Sequence, residues 1–225
     1  MQVFQGERRI IITCSHRLAA YLEKEVRALG YVPVRVFKTG VELKGDMSDC
    51  IMLNLQLYCA GQVLFSLGSF HAKNADELYR SLNAMAWEKL LPADGYFSVT
   101  CNVRNETITN SLFANVRVKD AIADRFRSVR GTRPDSGAEL RGAVVHVYWQ
   151  DTQAEVFIDT SGETLAKHGY RKIPGKAPMM ESLASAVLLA GKWHAQTSFV
   201  NPMCGSGTLA IEAARRGIWI VLDLC

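Results

Sequence analysis

Two glycines near the end of the sequence stand where a strand-to-helix turn can bind a small ligand. The pattern predicts a short apolar strand at Ser198–Val200, then Gly205 and Gly207, then a helix from about Thr208. Glycine lets the backbone adopt a positive φ and lets a ligand approach closely. The first turn of the helix offers free N–H groups and a partial positive charge. A plain structural turn has the same short pattern and is the alternative interpretation.

The residues that follow the glycines exclude two common phosphate-binding loops. A dinucleotide site requires a third glycine in the order G-x-G-x-x-G, and a P-loop requires a lysine after its last glycine. Gly207 is followed by Thr208 and Leu209 instead. The ligand groups that still suit this turn are a carboxylate and the edge of a ribose.

A second candidate site is the basic segment 117–133, in which six cations and two acids give a net charge of +4. The cations are Arg117, Lys119, Arg125, Arg127, Arg130 and Arg133. Arginine forms two-pronged hydrogen bonds with phosphate, so a cluster on one helix favours contact with an RNA backbone. A solvated helix with ion pairs such as Asp124–Arg127 is the alternative.

The composition is that of an ordinary globular protein of one or two domains. The 225 residues are 48% apolar and 21% charged, with a net charge of +4 that permits a nucleic-acid partner. No apolar run approaches the length of a membrane span, and the N-terminus lacks the apolar run of a signal peptide. The six cysteines form no C-x-x-C pair. We therefore expect a cytoplasmic protein with reduced thiols, no metal and no membrane partner.

Hydrophobic periodicity predicts an order of strands and helices. The predicted strands are Arg9–Cys14, Val32–Phe37, Val41–Lys44, Phe97–Val103, Ala143–Trp149 and Ala154–Asp159. Helices are predicted from Leu18 to Leu29, over most of Asp46–Leu67 with a break near Gly61, over Ala75–Leu91, over Val118–Val129 and after Pro178. In the last helix, Met180, Leu183, Ala184, Val187 and Leu188 are predicted to face the core.

Several strings in the sequence resemble the THUMP-containing RNA methyltransferases, the group with the large-subunit rRNA guanine methyltransferases. Residues 201–214 are similar to the family signature D-P-M-C-G-S-G-T-L-x-I-E-A-A, with Asn201 in place of the aspartate. Phe70-His71-Ala72, Thr109-Asn110-Ser111 and the run 118–127 match THUMP strings. Residues 161–171 resemble the family linker S-G-x-x-L-x-x-R-G-Y-R, with His168 in place of an arginine.

The resemblance implies an α/β protein in three parts. These are a ferredoxin-like segment at 1–45, a THUMP RNA-binding domain at 46–160, and a linker with the start of a Rossmann-like methyltransferase domain at 161–225. The cofactor it implies is S-adenosylmethionine (SAM), bound by Asn201, Pro202, Cys204, Gly205, Ser206, Gly207 and Thr208. The implied reaction is methyl transfer to the exocyclic amino group of a guanine in 23S rRNA, with the RNA bound by the cations of the basic segment.

The resemblance also implies that part of the enzyme is missing. The family loop [N/D]-P-P-[Y/F], which holds the target amino group, does not occur in the sequence, so no catalytic residue is predicted. We expect a truncated chain that is inactive alone, with Ile218–Leu224 either a frayed end or a second strand that carries Asp223 to the cofactor ribose. The alternative function is a stand-alone THUMP module that binds RNA without catalysis. A thiouridine synthase would need an S-G-G-x-D-S loop, which is absent.

Overall fold

The structure is a computed structural model that describes residues 6–106, 108, 110–172 and 177–217. Its strands are β1 (Arg8–Thr13), β2 (Arg35–Phe37), β3 (Gly40–Gly45), β4 (Gln62–His71), β5 (Tyr96–Arg104), β6 (Asp135–Gly137), β7 (Ala143–Gln150) and β8 (Gln153–Asp159). Its helices are α1 (Ala19–Ala28), α2 (Met47–Gln56), α3 (Ala75–Asn83), α4 (Ser111–Arg130), α5 (Glu181–Ala190) and α6 (Thr208–Gly217), with a 3-10 helix at Trp87–Lys89. The predicted α/β class is confirmed.

The described residues fall into two compact units. The first unit takes its residues from Met1–Ile11, Lys44–Ile51 and Val63–Glu163, and the second from Ile12–Leu43, Met52–Gln62 and Thr164–Cys225. The basic segment therefore belongs to the first unit and the glycine turn to the second. No described helix has both the length and the apolar content that crossing a membrane requires.

A sheet forms the framework of the first unit, with the strand order β1-β4-β8-β7-β5-β6. Strands β7 and β8 make the predicted antiparallel hairpin, in which Val147 lies opposite Val156. Strand β5 pairs in parallel with β7 on one side and with β6 on the other. Strand β4 runs antiparallel to β8 and has a register shift between Ser66 and Gly68.

Helix α4 presents the basic segment and packs on α3, on the 3-10 helix and on β5. Its buried face includes Val118, Ile122 and Phe126, all fully buried as their spacing predicts. The side chain of Asn110 caps its start by accepting the N–H of Leu112, and Gly131 ends it with a φ of 70°. The basic side chains of α4 therefore belong to a helix whose buried face is packed and whose two ends are capped.

In the second unit, β2 pairs antiparallel with β3, and α5 packs on both α1 and α6. Leu22 and Val26 of α1 are fully buried, as predicted. Gly40 begins β3 where a Cβ would lie 2.3 Å from the carbonyl oxygen of Ile12, so only glycine allows that approach. This packing places α5 beside the helix that follows the glycine turn.

The predicted helix over Asp46–Leu67 is wrong in its second half. Helix α2 ends at Gln56, and the residues from Gln62 onward form β4. Val63 and Phe65 are fully buried in a strand that pairs with β8. A short, continuous apolar run suits a buried strand as well as a helix, and strand pairing decides between them here.

Two predictions about the second unit are wrong in whole or in part. Residues Ser198–Val200 form no strand, and Val200 is 82% exposed; a strand forms only where a neighbour takes up its hydrogen bonds. In α5, Ala184 and Leu188 are buried as predicted, but Leu183, Val187 and the preceding Met180 are exposed. The other buried side chains of α5 include Glu181, Ser182 and Ser185. The predicted strand at Ile218–Leu224 and the residue Thr109 lie outside the described residues.

Candidate functional site

The glycine turn has the backbone geometry that its sequence predicts. Gly205 has a φ of 52° and Gly207 a φ of 78°, both in the left-handed region. A Cβ on Gly205 would meet no atom within 4 Å, and one on Gly207 would meet only Ile211 Cδ1 at 3.9 Å. The need for glycine therefore comes from backbone conformation, and the space beside Gly205 is open to a ligand.

The turn is closed by hydrogen bonds that lead into α6. The N–H of Gly207 donates to the carbonyl of Cys204 at 2.8 Å, and Ser206 Oγ lies 3.2 Å from Thr208 Oγ1. Thr208 is buried at the start of the helix, where backbone N–H groups and the helix dipole favour an anionic or hydroxyl partner. This arrangement can bind a carboxylate or a ribose hydroxyl.

The other predicted cofactor residues surround the turn with different exposure. Pro202 and Cys204 are exposed, and Asn201 is half-buried. The side-chain amide nitrogen of Asn201 is buried and has no hydrogen-bond partner among the described residues. All seven predicted cofactor residues thus lie on one segment of the chain, within which Cys204, Ser206, Gly207 and Thr208 take part in hydrogen bonds.

Arg171 connects the linker to the start of α6. Its Nη2 donates to Thr208 Oγ1 and to the carbonyl of Met179, each at 2.9 Å. Its Nη1 lies 3.5 Å from the carboxylate of Glu181, the first residue of α5. The arginine therefore bridges the linker, α5 and the first residue of the helix that follows the turn.

A buried polar cluster connects α6 to the linker and to α5. The sequence analysis did not predict this cluster. The cluster centres on Glu212, which is fully buried. Its Oε1 lies 2.7 Å from His168 Nδ1, its Oε2 accepts a hydrogen bond of 2.7 Å from Ser185, and Arg215 Nη1 lies 3.6 Å away. Burial raises the pKa of Glu212, but the hydrogen bonds from His168 and Ser185 outweigh it and leave the pKa below its ordinary value. Glu212 is therefore a buried carboxylate with partners on two other segments.

A second buried acid ties α6 to α1. Arg216 Nη2 lies 2.5 Å from Glu25 Oε1, and Glu25 Oε2 accepts the backbone N–H of Cys59 at 2.8 Å. The guanidinium of Arg216 also lies 4.7 Å from the ring centre of Tyr58. In α1, Glu25 follows Glu23 and Lys24, so no local pattern in the sequence distinguishes it as the buried acid.

In the first unit, three of the six predicted RNA-binding cations form ion pairs. Arg117 Nη2 lies 2.7 Å from Asp76 Oδ1, and its guanidinium lies 4.7 Å from the ring centre of Tyr79. Arg127 Nη1 lies 3.1 Å from Asp124 Oδ1, which is the i,i+3 pair expected for a solvated helix. These two arginines already have anionic partners.

Arg125 makes a two-pronged ion pair. Its Nε and Nη2 donate to the two carboxylate oxygens of Glu88 at 3.0 Å and 2.8 Å. The hydrogen bonds from Arg125 lower the pKa of Glu88 to about 2, although burial opposes that shift. The pair connects α4 to the 3-10 helix.

The other three predicted RNA-binding cations form no ion pair with a described residue. They are Lys119, Arg130 and Arg133, of which Arg130 and Arg133 are exposed.

Burial disfavours the thiolate form of several described cysteines. Burial raises the pKa of Cys14 to about 11, and that of Cys50 and of Cys101 to about 12. Cys204 is exposed. Within the described ranges, no three histidine, cysteine or acidic side chains are grouped so that they could hold a metal ion.

Comparison with known proteins places the sequence among methyltransferases. It matches three protein-family models: an RlmL ferredoxin-like domain at residues 9–64, a THUMP domain at 72–159 and an RMKL-like methyltransferase domain at 168–222. It is 36% identical over 210 residues to a ribosomal RNA large subunit methyltransferase K/L from Magnetococcus marinus, a match that covers 92% of this chain. The chain belongs to the THUMP-domain methyltransferase family. It spans only 28% to 29% of the length of the curated relatives it matches.

Solved structures support the same assignment. A protein from Listeria monocytogenes, named as a predicted N6-adenine-specific DNA methylase, is 33% identical with a TM-score of 0.80, covering 94% of this chain and 56% of that one. The structure of SMU.472 complexed with SAH is 30% identical with a TM-score of 0.80, covering 95% of this chain and 56% of that one. The resemblance drawn from the sequence is therefore confirmed.

Proposed function

We propose that this chain contributes the RNA-binding part and the first cofactor-binding turn of an rRNA methyltransferase. The reaction would move a methyl group from SAM to the exocyclic amino group of a guanine in 23S rRNA, in the cytoplasm. The observation that carries this proposal is the open, left-handed glycine turn at the start of α6, in a chain related to proteins named as rRNA large subunit methyltransferases.

The residues of the turn fit the methionine end of SAM. The cofactor carries a carboxylate, and the turn offers a helix N-terminus and open space beside Gly205. Asn201, Pro202, Cys204, Ser206 and Thr208 would border it together with Gly205 and Gly207. SAM supplies an electrophilic methyl group when bound. The residues of this chain bind and orient the cofactor.

A titration of SAM into the purified chain tests the cofactor site. We expect micromolar binding that is lost when Gly205 and Gly207 are both replaced by valine. The matched control is Gly162→Val: Gly162 also has a positive φ of 67° and no atom within 4 Å of its Cβ position, but it lies outside the turn. Loss of binding in the control, or no binding by the unmodified chain, would contradict the cofactor site.

The RNA surface that we propose centres on Lys119, Arg130 and Arg133. These cations have no described ion-pair partner, so phosphate contact costs them no existing bond. The other three cations of the segment, Arg117, Arg125 and Arg127, contribute to the local positive field. To bind phosphate directly, each would have to break its ion pair or share its guanidinium between the carboxylate and the phosphate. The surface therefore has fewer free cations than the segment has positive residues.

Anisotropy measurements with a labelled 23S rRNA fragment test this surface. We expect each of Lys119→Glu, Arg130→Glu and Arg133→Glu to weaken binding, whereas Lys38→Glu, at an exposed site in the second unit, leaves it unchanged. Single-stranded DNA of the same sequence is the competitor, because one structural relative is named as a DNA methylase. If DNA displaced the labelled RNA as well as unlabelled RNA does, the proposed specificity for RNA would be wrong. If all four variants lost the same amount of RNA affinity, the proposed location of the RNA-binding surface would be wrong.

The second candidate function is a THUMP module that binds RNA without catalysis. The matched THUMP domain lies well inside the chain, at residues 72–159. RNA binding together with no SAM binding would favour this function over the first.

A further inference from the structure

Both ring nitrogens of His168 face hydrogen-bond acceptors in the second unit. Nε2 lies 3.0 Å from the backbone carbonyl oxygen of Tyr58, and Nδ1 lies 2.7 Å from Glu212 Oε1. A carbonyl oxygen only accepts, so Nε2 must carry a hydrogen. Because the pKa of Glu212 is below its ordinary value, the carboxylate is ionised at neutral pH and Nδ1 must carry a hydrogen as well. The geometry therefore requires the imidazolium form of His168.

This imidazolium connects three segments around the glycine turn. His168 belongs to the linker, Glu212 lies one helical turn after Thr208 in α6, and Tyr58 follows α2. Ser185 of α5 completes the set by donating to the other oxygen of Glu212. The side chains of His168 and Glu212 are 6% and 0% exposed, so water cannot readily replace a lost bond.

We propose that His168 is a positioning residue for the cofactor turn, which holds α6 where SAM binds through its hydrogen bonds to Glu212 and to the Tyr58 carbonyl oxygen. This inference rests on the proposed function of the turn. His168 does not touch the turn itself, so it acts through Glu212 and the helix.

The surroundings of His168 contain charges of both signs. The titratable groups that face the cluster from the packed elements are Glu212 and Arg215 of α6, Tyr58, Tyr170, Arg216 of α6 and Glu25 of α1. The guanidinium of Arg215 lies 5.6 Å and 5.4 Å from the ring centres of Tyr58 and Tyr170. Burial raises the pKa of Tyr170, so its phenol stays neutral. The two arginines offset the two carboxylates of the cluster.

Titrations of SAM at pH 6 test the inference on the full chain. Because His168→Gln cannot make a charge-assisted hydrogen bond to Glu212, it should bind SAM about tenfold more weakly than the unmodified protein. His168→Arg restores a cationic donor to Glu212 and should bind with a Kd near that of the unmodified protein. A Kd of His168→Gln equal to that of the unmodified protein would overturn the inference.

A second readout needs no SAM and separates this inference from the proposed function. Nitrogen-15 NMR of the ring should show both nitrogens protonated at pH 6, and the amides of α6 should exchange about tenfold faster in His168→Gln. If no variant binds SAM but α6 still loses protection, His168 positions α6 and the cofactor function is wrong. If α6 exchanges equally in all variants, the positioning role is wrong even where SAM binds.

Discussion

The ion pair between Arg125 and Glu88 should stabilise the first unit rather than bind RNA. Two hydrogen bonds of 3.0 Å and 2.8 Å join the side chains, which are 26% and 9% exposed. A hydrogen bond to a charged group contributes about 1.5–3 kcal/mol to stability. Because both side chains are partly exposed to solvent, we expect the coupling energy between Arg125 and Glu88 to be lower, about 1–2 kcal/mol. A double-mutant cycle with Glu88→Gln and Arg125→Met measures this value from the free energy of unfolding.

The matched control for that cycle is the pair Asp124–Arg127 on the same helix. Its side chains are 42% and 58% exposed and three residues apart, so we expect a coupling of about 0.3 kcal/mol. Amide exchange in α4 localises both effects to the first unit. Equal coupling energies in the two cycles would refute the argument from burial and two-pronged geometry.

The same pair predicts a specific dependence on pH. The pKa of Glu88 is lowered from 4.5 to about 2, so its contribution is present above the ordinary value and is lost as the pH falls toward the lowered one. The difference in unfolding free energy between the unmodified protein and Glu88→Gln should be constant above about pH 5 and shrink below it.

The ion pair also predicts that Arg125→Met retains the RNA affinity of the unmodified protein. A loss of affinity as large as that of Arg130→Glu would show that Arg125 breaks its ion pair with Glu88 to bind RNA.

Further predictions follow from the glycines and the thiols. Gly205→Ala should cost about 1 kcal/mol in stability from its positive φ alone, because no atom obstructs the new methyl group. Gly142→Ala should cost more, about 3 kcal/mol, since its φ of 62° is combined with a Cβ only 2.1 Å from the Tyr96 carbonyl oxygen; equal shifts in thermal unfolding would contradict this. At pH 8, iodoacetamide should modify the exposed Cys204 at least about tenfold faster than Cys14, whose pKa burial raises to about 11. Peptide mass spectrometry measures both rates, and similar rates would show that Cys14 becomes accessible.

Much of the first unit could be predicted from local patterns. The hairpin of β7 and β8 follows from alternating residues on both sides of a short turn, and the inner face of α4 follows from the spacing of Val118, Ile122 and Phe126. Strand β4 was predicted as helix because a run of apolar residues carries no periodicity that distinguishes the two. Its pairing with β8 depends on residues about 90 positions later in the chain.

The glycine turn could be predicted because its chemistry lies within eight consecutive residues. The contacts that hold α6 could not, because His168, Ser185 and Glu212 come from separate segments and meet only in the folded unit. The buried side of α5 was predicted only in part for the same reason: Ala184 and Leu188 are buried, but Leu183 and Val187 are exposed. A helix normally buries its apolar stripe, but here Glu181 and Ser185 turn inward because Arg171 and Glu212 provide partners for them.

The basic segment shows how distant partners change a conclusion drawn from charge. Counted along the sequence, six cations and two acids give +4. In the folded unit, Arg117 forms an ion pair with Asp76, and Arg125 forms one with Glu88. These acids lie 41 and 37 residues away in the sequence, so the charge of the segment does not include them. Six phosphate contacts on single-stranded RNA would give a slope of log K against log salt of about −4, whereas the three cations without an ion pair to a described residue support about −2. A measured slope near −2 therefore supports RNA binding through Lys119, Arg130 and Arg133, and a slope near −4 requires the ion pairs to open on binding.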